Sequence, residues 1–115
     1  MTDLEKALIH LTEQIQKYRT LNPQDGNGMV ECLQQITPTL FYLEGERAKY
    51  HDKFQTTMHM EILKGRSVSG SENEAHIKVP EMYRLRKIID SAYETSKAIG
   101  IHLSYLKSEK RFSGM

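Results

Sequence analysis

Between Met82 and Leu106 the chain keeps one spacing. Apolar or small residues stand at Met82, Leu85, Ile89, Ala92, Ser96, Ile99, Leu103 and Leu106, alternately three and four apart. An α-helix gathers such a heptad repeat into one narrow apolar seam that packs against other helices. No catalytic motif accompanies the repeat, so it speaks first of helix association. The seam is long, and the chain has few apolar residues with which to cover it. That predicts a homo-oligomer held through Leu85, Ile89, Ile99, Leu103 and Leu106.

A second stripe of the same kind, Leu4, Leu8, Leu11, Ile15 and Tyr18, predicts a helix from Asp3 to Tyr18, with Thr2 or Asp3 as its N-terminal cap. The breakers from Asn22 to Gly28 end it. Met29 to Ile36 reads as a short helical piece. Thr37-Pro38 resets the chain, because proline suits a first helical position and a threonine before it caps. A long helix is then predicted over 39–64, with Leu40, Leu43, Arg47, Tyr50, Phe54, Met58 and Ile62 on one face. Arg47 interrupts that face with its stem along the seam and its charge in water. Gly45 is a weak point in the helix interior.

Residues 65–71 read as a linker, with Gly65 as a C-terminal cap. Ser71-Glu72-Asn73-Glu74 matches the capping box S-x-x-E and starts the last element, 72–111. Pro80 either kinks that element or opens a separate helix. Phe112 to Met115 form a loose tail. The expected fold is all-α: a long antiparallel helical hairpin with an additional N-terminal helix (residues 1–21), in one helical domain.

Composition narrows the picture. The 115 residues are 38% apolar, contain no Trp and only three Phe, and have a mean hydropathy of −0.58. That suits elongated helices sharing a seam better than a thick core. The apolar runs are too short for a membrane span, and the acidic N-terminus does not read as a secretory leader. The single Cys32 cannot form an internal disulfide, which fits a reducing cytoplasm. The net charge of +1 hides an asymmetry: residues 1–57 carry six Lys/Arg against eight Asp/Glu, and residues 58–115 carry ten against seven. A half this mildly basic suits a salt-sensitive nucleic-acid contact rather than tight duplex binding.

Candidate chemistry is sparse. His10, His51, His59, His76 and His102 include no E-x-x-H or H-E-x-x-H pair; Glu72 and His76 stand at i,i+4, without obvious further ligands. No metal or other cofactor is expected. Cys32 has no basic neighbour in sequence and reads as a small apolar residue. Ser67, Ser69 and Ser71 are explained by capping, and neither G-x-S-x-G nor a phosphate loop is present. The chain therefore reads as a non-enzyme.

The cations remain. Lys64 and Arg66 flank Gly65. Arg84, Arg86 and Lys87 open the last helix, and Lys107, Lys110 and Arg111 close it, with Tyr83, Tyr93 and Tyr105 off the seam. Cations on phosphates and rings under bases are how proteins follow a single strand. The terminal cluster has a simpler explanation in the helix macrodipole. Lys64 and Arg66 are least explained by helix stability, so they are the preferred nucleic-acid contact, with Arg84, Arg86 and Lys87 second.

From Leu40 onward the chain runs through Glu46-Arg47-Ala48-x-Tyr50, Met60-Glu61-Ile62-Leu63-Lys64-Gly65-Arg66, a short loop and a final amphipathic helix. In these features it resembles the UvsY-like phage recombination mediators. The resemblance implies a small, helical, oligomeric protein that binds single-stranded DNA and loads a strand-exchange recombinase in place of a single-strand binding protein. In that family the basic DNA contacts lie in the turns before the glycine. The matching positions here are Thr57 and His59, so Lys64 and Arg66 carry the implied contact.

The sequence therefore points to a non-enzymatic phage accessory in recombination or replication, in the cytoplasm of a bacterial host. Its partners would be single-stranded DNA and a recombinase or single-strand binding protein, with no membrane involved. The alternative from another class is a protein-only interaction module, a phage inhibitor or assembly adaptor. The two differ in salt-dependent oligonucleotide binding.

Overall fold

The computed structural model describes residues 1–113, with side chains through Glu109. It is all-α, with four helices and no strand among the described residues: α1 (Asp3–Thr20), α2 (Gly26–Leu63), α3 (Val68–Lys78) and α4 (Pro80–Ser113). The Gly114-Met115 end of the expected tail lies outside the described residues; the backbone of Phe112 and Ser113 is helical. No described helix is long and apolar enough to cross a membrane.

Helix α1 forms as its stripe requires. Thr2 caps it, its hydroxyl accepting from the Glu5 N–H at 3.1 Å. Leu8, Leu11 and Ile15 are buried, and Leu4 and Tyr18 pack at the margin.

Helix α2 departs from expectation. It starts at Gly26, not Thr39, and passes through Pro38 without a break. Asp25 caps it, accepting from the Gly28 N–H at 2.9 Å. A proline inside a helix removes one hydrogen bond and crowds the preceding turn, at a cost of about 3 kcal/mol. Two facts offset that cost here. Pro38 and Gln34 are both exposed, so the carbonyl that loses its partner meets water. Met29, Cys32 and Ile36 before the proline are buried in the same core as Leu40 and Leu43 after it. Each fully buried side chain of that size contributes roughly 1.5–3 kcal/mol, so packing on both sides outweighs the break. Thr37 and Thr39 bond back to the carbonyls of Leu33 and Gln35 instead of capping a new helix.

Helices α2 and α4 run antiparallel. Gly26 lies under Leu103 and Leu106, while His51, Phe54 and Gln55 adjoin Met82, Tyr83 and Arg86. Helix α1 lies alongside both, with Leu8 and Thr12 near Arg84 and Ile88 and Tyr18 near His102. The main core sits between these three helices. Leu85, Ile89, Ala92 and Ile99 supply the α4 wall and are buried, with Leu103 and Leu106 packed at its end. The stripe from which self-association was predicted is thus covered within one chain, by the stripes of α1 and α2.

The far end of α2 is accompanied by α3, which forms a shorter hairpin with it. Ser67, not Ser71, caps α3, accepting from the Gly70 N–H at 3.0 Å. Ser71 and Ala75 are buried where α3 meets α2, because small side chains let the helices come close. Pro80 opens α4 at the position where a missing N–H costs nothing. Val79, buried between α3 and α4, packs with Phe54 and Ala75 in a second small core.

Candidate nucleic-acid interface

The turn at Lys64-Gly65-Arg66 is built by backbone hydrogen bonds. The Gly65 N–H donates to the Ile62 carbonyl at 2.9 Å and the Arg66 N–H to the Glu61 carbonyl at 3.3 Å. These are the two bonds of a Schellman motif, which needs a left-handed residue between helix and loop. Gly65 supplies it at φ +93°. The expected helix end is therefore found where the sequence put it.

What the turn does with its cations was not legible. Glu61, not Ile62, occupies the buried position of the last α2 turn; Ile62 is partly exposed. Around the Glu61 carboxylate stand Lys78 Nζ at 2.8 Å, Arg66 Nε at 2.8 Å and Lys64 Nζ at 3.5 Å. Glu74 is the second acid of the cluster, 3.7 Å from Arg66 and 3.8 Å from Lys78. The hydrogen bond from Lys78, then the surrounding cations, hold the Glu61 carboxyl below its usual range against the opposing effect of burial. The same hydrogen bond holds the Lys78 ammonium above its usual range. A buried carboxylate needs such partners to stay charged. Lys64 and Arg66 thus have a structural task, although both side chains remain more than half exposed. Three cations against two acids leave the tip with a small positive excess.

The second predicted group is divided by the helix. Arg84 faces the α1 side of α4, in a shallow groove with Leu8, Ile9, Thr12 and Glu13. Arg86 faces the α2–α3 side, in a hollow of about 190 Å³ shared with His51, Phe54, Glu72, His76 and Tyr83. Lys87 points outward, its ammonium 5.8 Å from the centre of the Tyr83 ring. His76 packs against Phe54, the rings tilted by 56° with centres 4.7 Å apart, and stands 3.9 Å from the Glu72 carboxylate. Lys64 and Arg66 lie at the tip, about nine α2 residues or 14 Å beyond this hollow. Four of the five predicted cations therefore form two separate pairs, Lys64 with Arg66 and Arg86 with Lys87, and Arg84 belongs to neither.

The gathering of His51, Phe54 and His76 around Arg86 was missed. Its residues come from three helices, and only the Glu72/His76 spacing hinted at it. Tyr83, Tyr93 and Tyr105 are exposed. Burial pushes the Cys32 thiol up and so keeps it protonated. Among the described residues no three His, Cys, Asp or Glu side chains are grouped to hold a metal ion. Lys107 borders an open groove with Asp25, Gly26 and Glu109; the Lys110 and Arg111 side chains lie outside the described residues.

Compared with known proteins, the chain matches no family model, no curated protein and no solved structure.

Proposed function

We propose that this is a non-enzymatic helical accessory protein of phage DNA recombination or replication, acting beside single-stranded DNA and a protein partner in the manner of the UvsY-like mediators. The observation that carries the reading is the juxtaposition of Arg86 and Lys87 with the rings of Tyr83, His51 and His76 where α2, α3 and α4 meet. Cations beside exposed rings provide phosphate contact and base stacking together, and stacking tolerates any base. Lys64, Arg66 and Lys78 at the tip are a second, separate cationic group, largely balanced by Glu61 and Glu74. A mediator needs no bond-making chemistry; it needs only different affinities for competing DNA–protein assemblies.

Fluorescence anisotropy of a labelled single strand across a salt series tests this. Binding is expected at low salt, falling steeply as salt rises. Replacing Arg86 and Lys87 by Ala is expected to weaken it about equally for all base sequences and to flatten the salt slope. The Lys64/Arg66 double replacement is expected to act less on DNA, since those cations are engaged by Glu61. No binding of a long single strand at low salt sinks the reading.

A protein-only adaptor is the second reading. It draws on the exposed Met60, Leu63, Val68 and Ile77 around the α2–α3 hairpin, a density of apolar side chains that solvated tips rarely carry.

A further inference from the structure

We infer that the hollow where α2, α3 and α4 meet is a proton-switched phosphate site: His51 and His76, once protonated, make it cationic around Arg86 and so set the affinity for a single strand by pH. The inference rests on the strand-binding reading above and adds its regulation. The hollow, of about 190 Å³, is lined by His51 and Phe54 of α2, by Glu72 and His76 of α3, and by Tyr83 and Arg86 of α4. Three helices thus bring one guanidinium and two imidazoles to a single concavity. Among the described residues Arg86 and His51 make no ion pair, hydrogen bond or ring contact. No partner within the fold engages either group, in contrast to the cations held by Glu61 at the tip.

Charge supplies the switch. With neutral imidazoles the fixed charges lining the hollow cancel, Arg86 against Glu72. Just outside it, Glu44, Arg47 and Asp52 stand beside His51 on α2, with Arg47 at 3.8 Å from Glu44. On α4, Lys87 lies 5.8 Å from the centre of the Tyr83 ring, and Asp90 follows Arg86 by one turn. These neighbours leave no positive excess to hold a phosphate. Imidazole gains its second N–H between about pH 5 and 8. Protons on His51 and His76 therefore add two charges, and two charged donors, beside the guanidinium.

The surroundings make those charges count. Hydrogen bonds from charged donors to phosphate are about twice as strong as neutral ones. Phe54 is buried and Met82 packs beside it, so the hollow has an apolar wall, and attraction between charges strengthens where water is excluded. A phosphate seated there has the rings of His76 and Tyr83 next to it for the adjoining base. The remaining histidines are placed differently. His10 belongs to α1, His102 meets the Tyr18 hydroxyl at 3.5 Å, and His59 lies about two turns beyond His51 on α2.

Fluorescence anisotropy of a labelled oligothymidylate with the full chain tests it, from about pH 8 down to about pH 5.5 and across a salt series. Phosphodiesters and thymine keep one charge state over that range, so a change in binding comes from the protein. The wild type is expected to bind at least about tenfold more tightly at the acid end, with a salt slope steeper by about 1.4, as two added phosphate contacts require. His51→Gln and His76→Gln are each expected to lose about half of that gain on a logarithmic scale, and the double variant all of it. His59→Gln is expected to keep it. Glu72→Gln is expected to bind more tightly than wild type at the alkaline end, because Arg86 then stands unopposed. All four positions are exposed, and melting by circular dichroism at both ends of the range checks that each variant is folded. Equal wild-type binding at the two ends overturns the switch and leaves the strand-binding reading in place. A gain that the double variant keeps in full overturns it as well. No binding at any pH, even at low salt, overturns both.

Discussion

Lys78 Nζ lies 2.8 Å from Glu61 Oε1 across seventeen residues of chain, and this pair fastens α3 onto the end of α2. Arg66 on the intervening turn binds the other oxygen of the same carboxylate. One buried acid therefore joins a helix, a turn and a second helix beside the smaller of the two apolar cores.

The first prediction concerns pH. The folded state holds the Glu61 carboxyl below its ordinary value near 4.5. Its stabilising contribution is then complete above that value and is lost as pH falls through the lower folded one. Lys78 is held above its ordinary 10.5, so its contribution is complete below that value and is lost as pH rises through the higher folded one. Stability from the pair is flat between the two. Glu61→Gln is expected to lower the urea midpoint at pH 7, since it leaves the cations facing a buried amide. The difference from wild type is expected to start shrinking as pH drops below about 4.5, where the unfolded carboxyl takes up a proton, and to vanish once the native carboxylate is neutral at the lower folded value. A constant difference down to pH 3 would remove the carboxylate from the explanation.

The second concerns Gly65. An added Cβ there has open space, so any cost of substitution comes from its φ of +93° alone. Gly65→Ala is expected to destabilise by about 1–2 kcal/mol, and Gly65→Asn by less, because Asn tolerates left-handed backbone. Equal melting temperatures for Gly, Asn and Ala would mean that the turn does not need a left-handed residue.

Periodicity made much of this fold legible. Leu8, Leu11 and Ile15 in α1 and Leu85, Ile89 and Ile99 in α4 are buried as their spacing required. A seam states that something covers it, not which chain supplies the cover. The complement of the α4 stripe was the pair of stripes already present in α1 and α2, joined into one core once α2 runs unbroken. That continuity was hidden because Pro38 is a strong local signal, and the long-range packing that overrides it leaves no local mark. Glu61 was hidden for a related reason. Apolar periodicity chooses Ile62, whereas the position next to α3 admits a carboxylate only because Lys78 and Arg66 arrive from other elements. The candidate site followed the same rule. Basic residues adjacent in sequence, Arg84, Arg86 and Lys87, point to different sides of a helix, while His51 and His76, far apart in sequence, meet beside Arg86.

The last prediction tests the unbroken α2. Pro38 is exposed within the helix and lacks the N–H that would bond to the Gln34 carbonyl. Nothing apolar is buried by the ring, so Pro38→Ala removes no core contact. It restores one hydrogen bond and relieves the crowding of the preceding turn. Because the surrounding core already forces helical geometry, most of that relief should appear as stability. The expected gain is about 1–3 kcal/mol, read as a higher urea midpoint with an unchanged slope. The threonines make the alternative distinguishable. If Thr37 capped a second helix, Pro38→Ala would disturb a helix start, and stability would fall or stay level. In this structure the Thr37 hydroxyl donates backward to the Leu33 carbonyl at 2.9 Å, as an interior helical threonine does. Thr37→Ala is therefore expected to be nearly neutral, where loss of a true cap would cost about 1 kcal/mol. A stabilising Pro38→Ala beside a neutral Thr37→Ala fits one continuous helix; the reverse pair of results would restore the break.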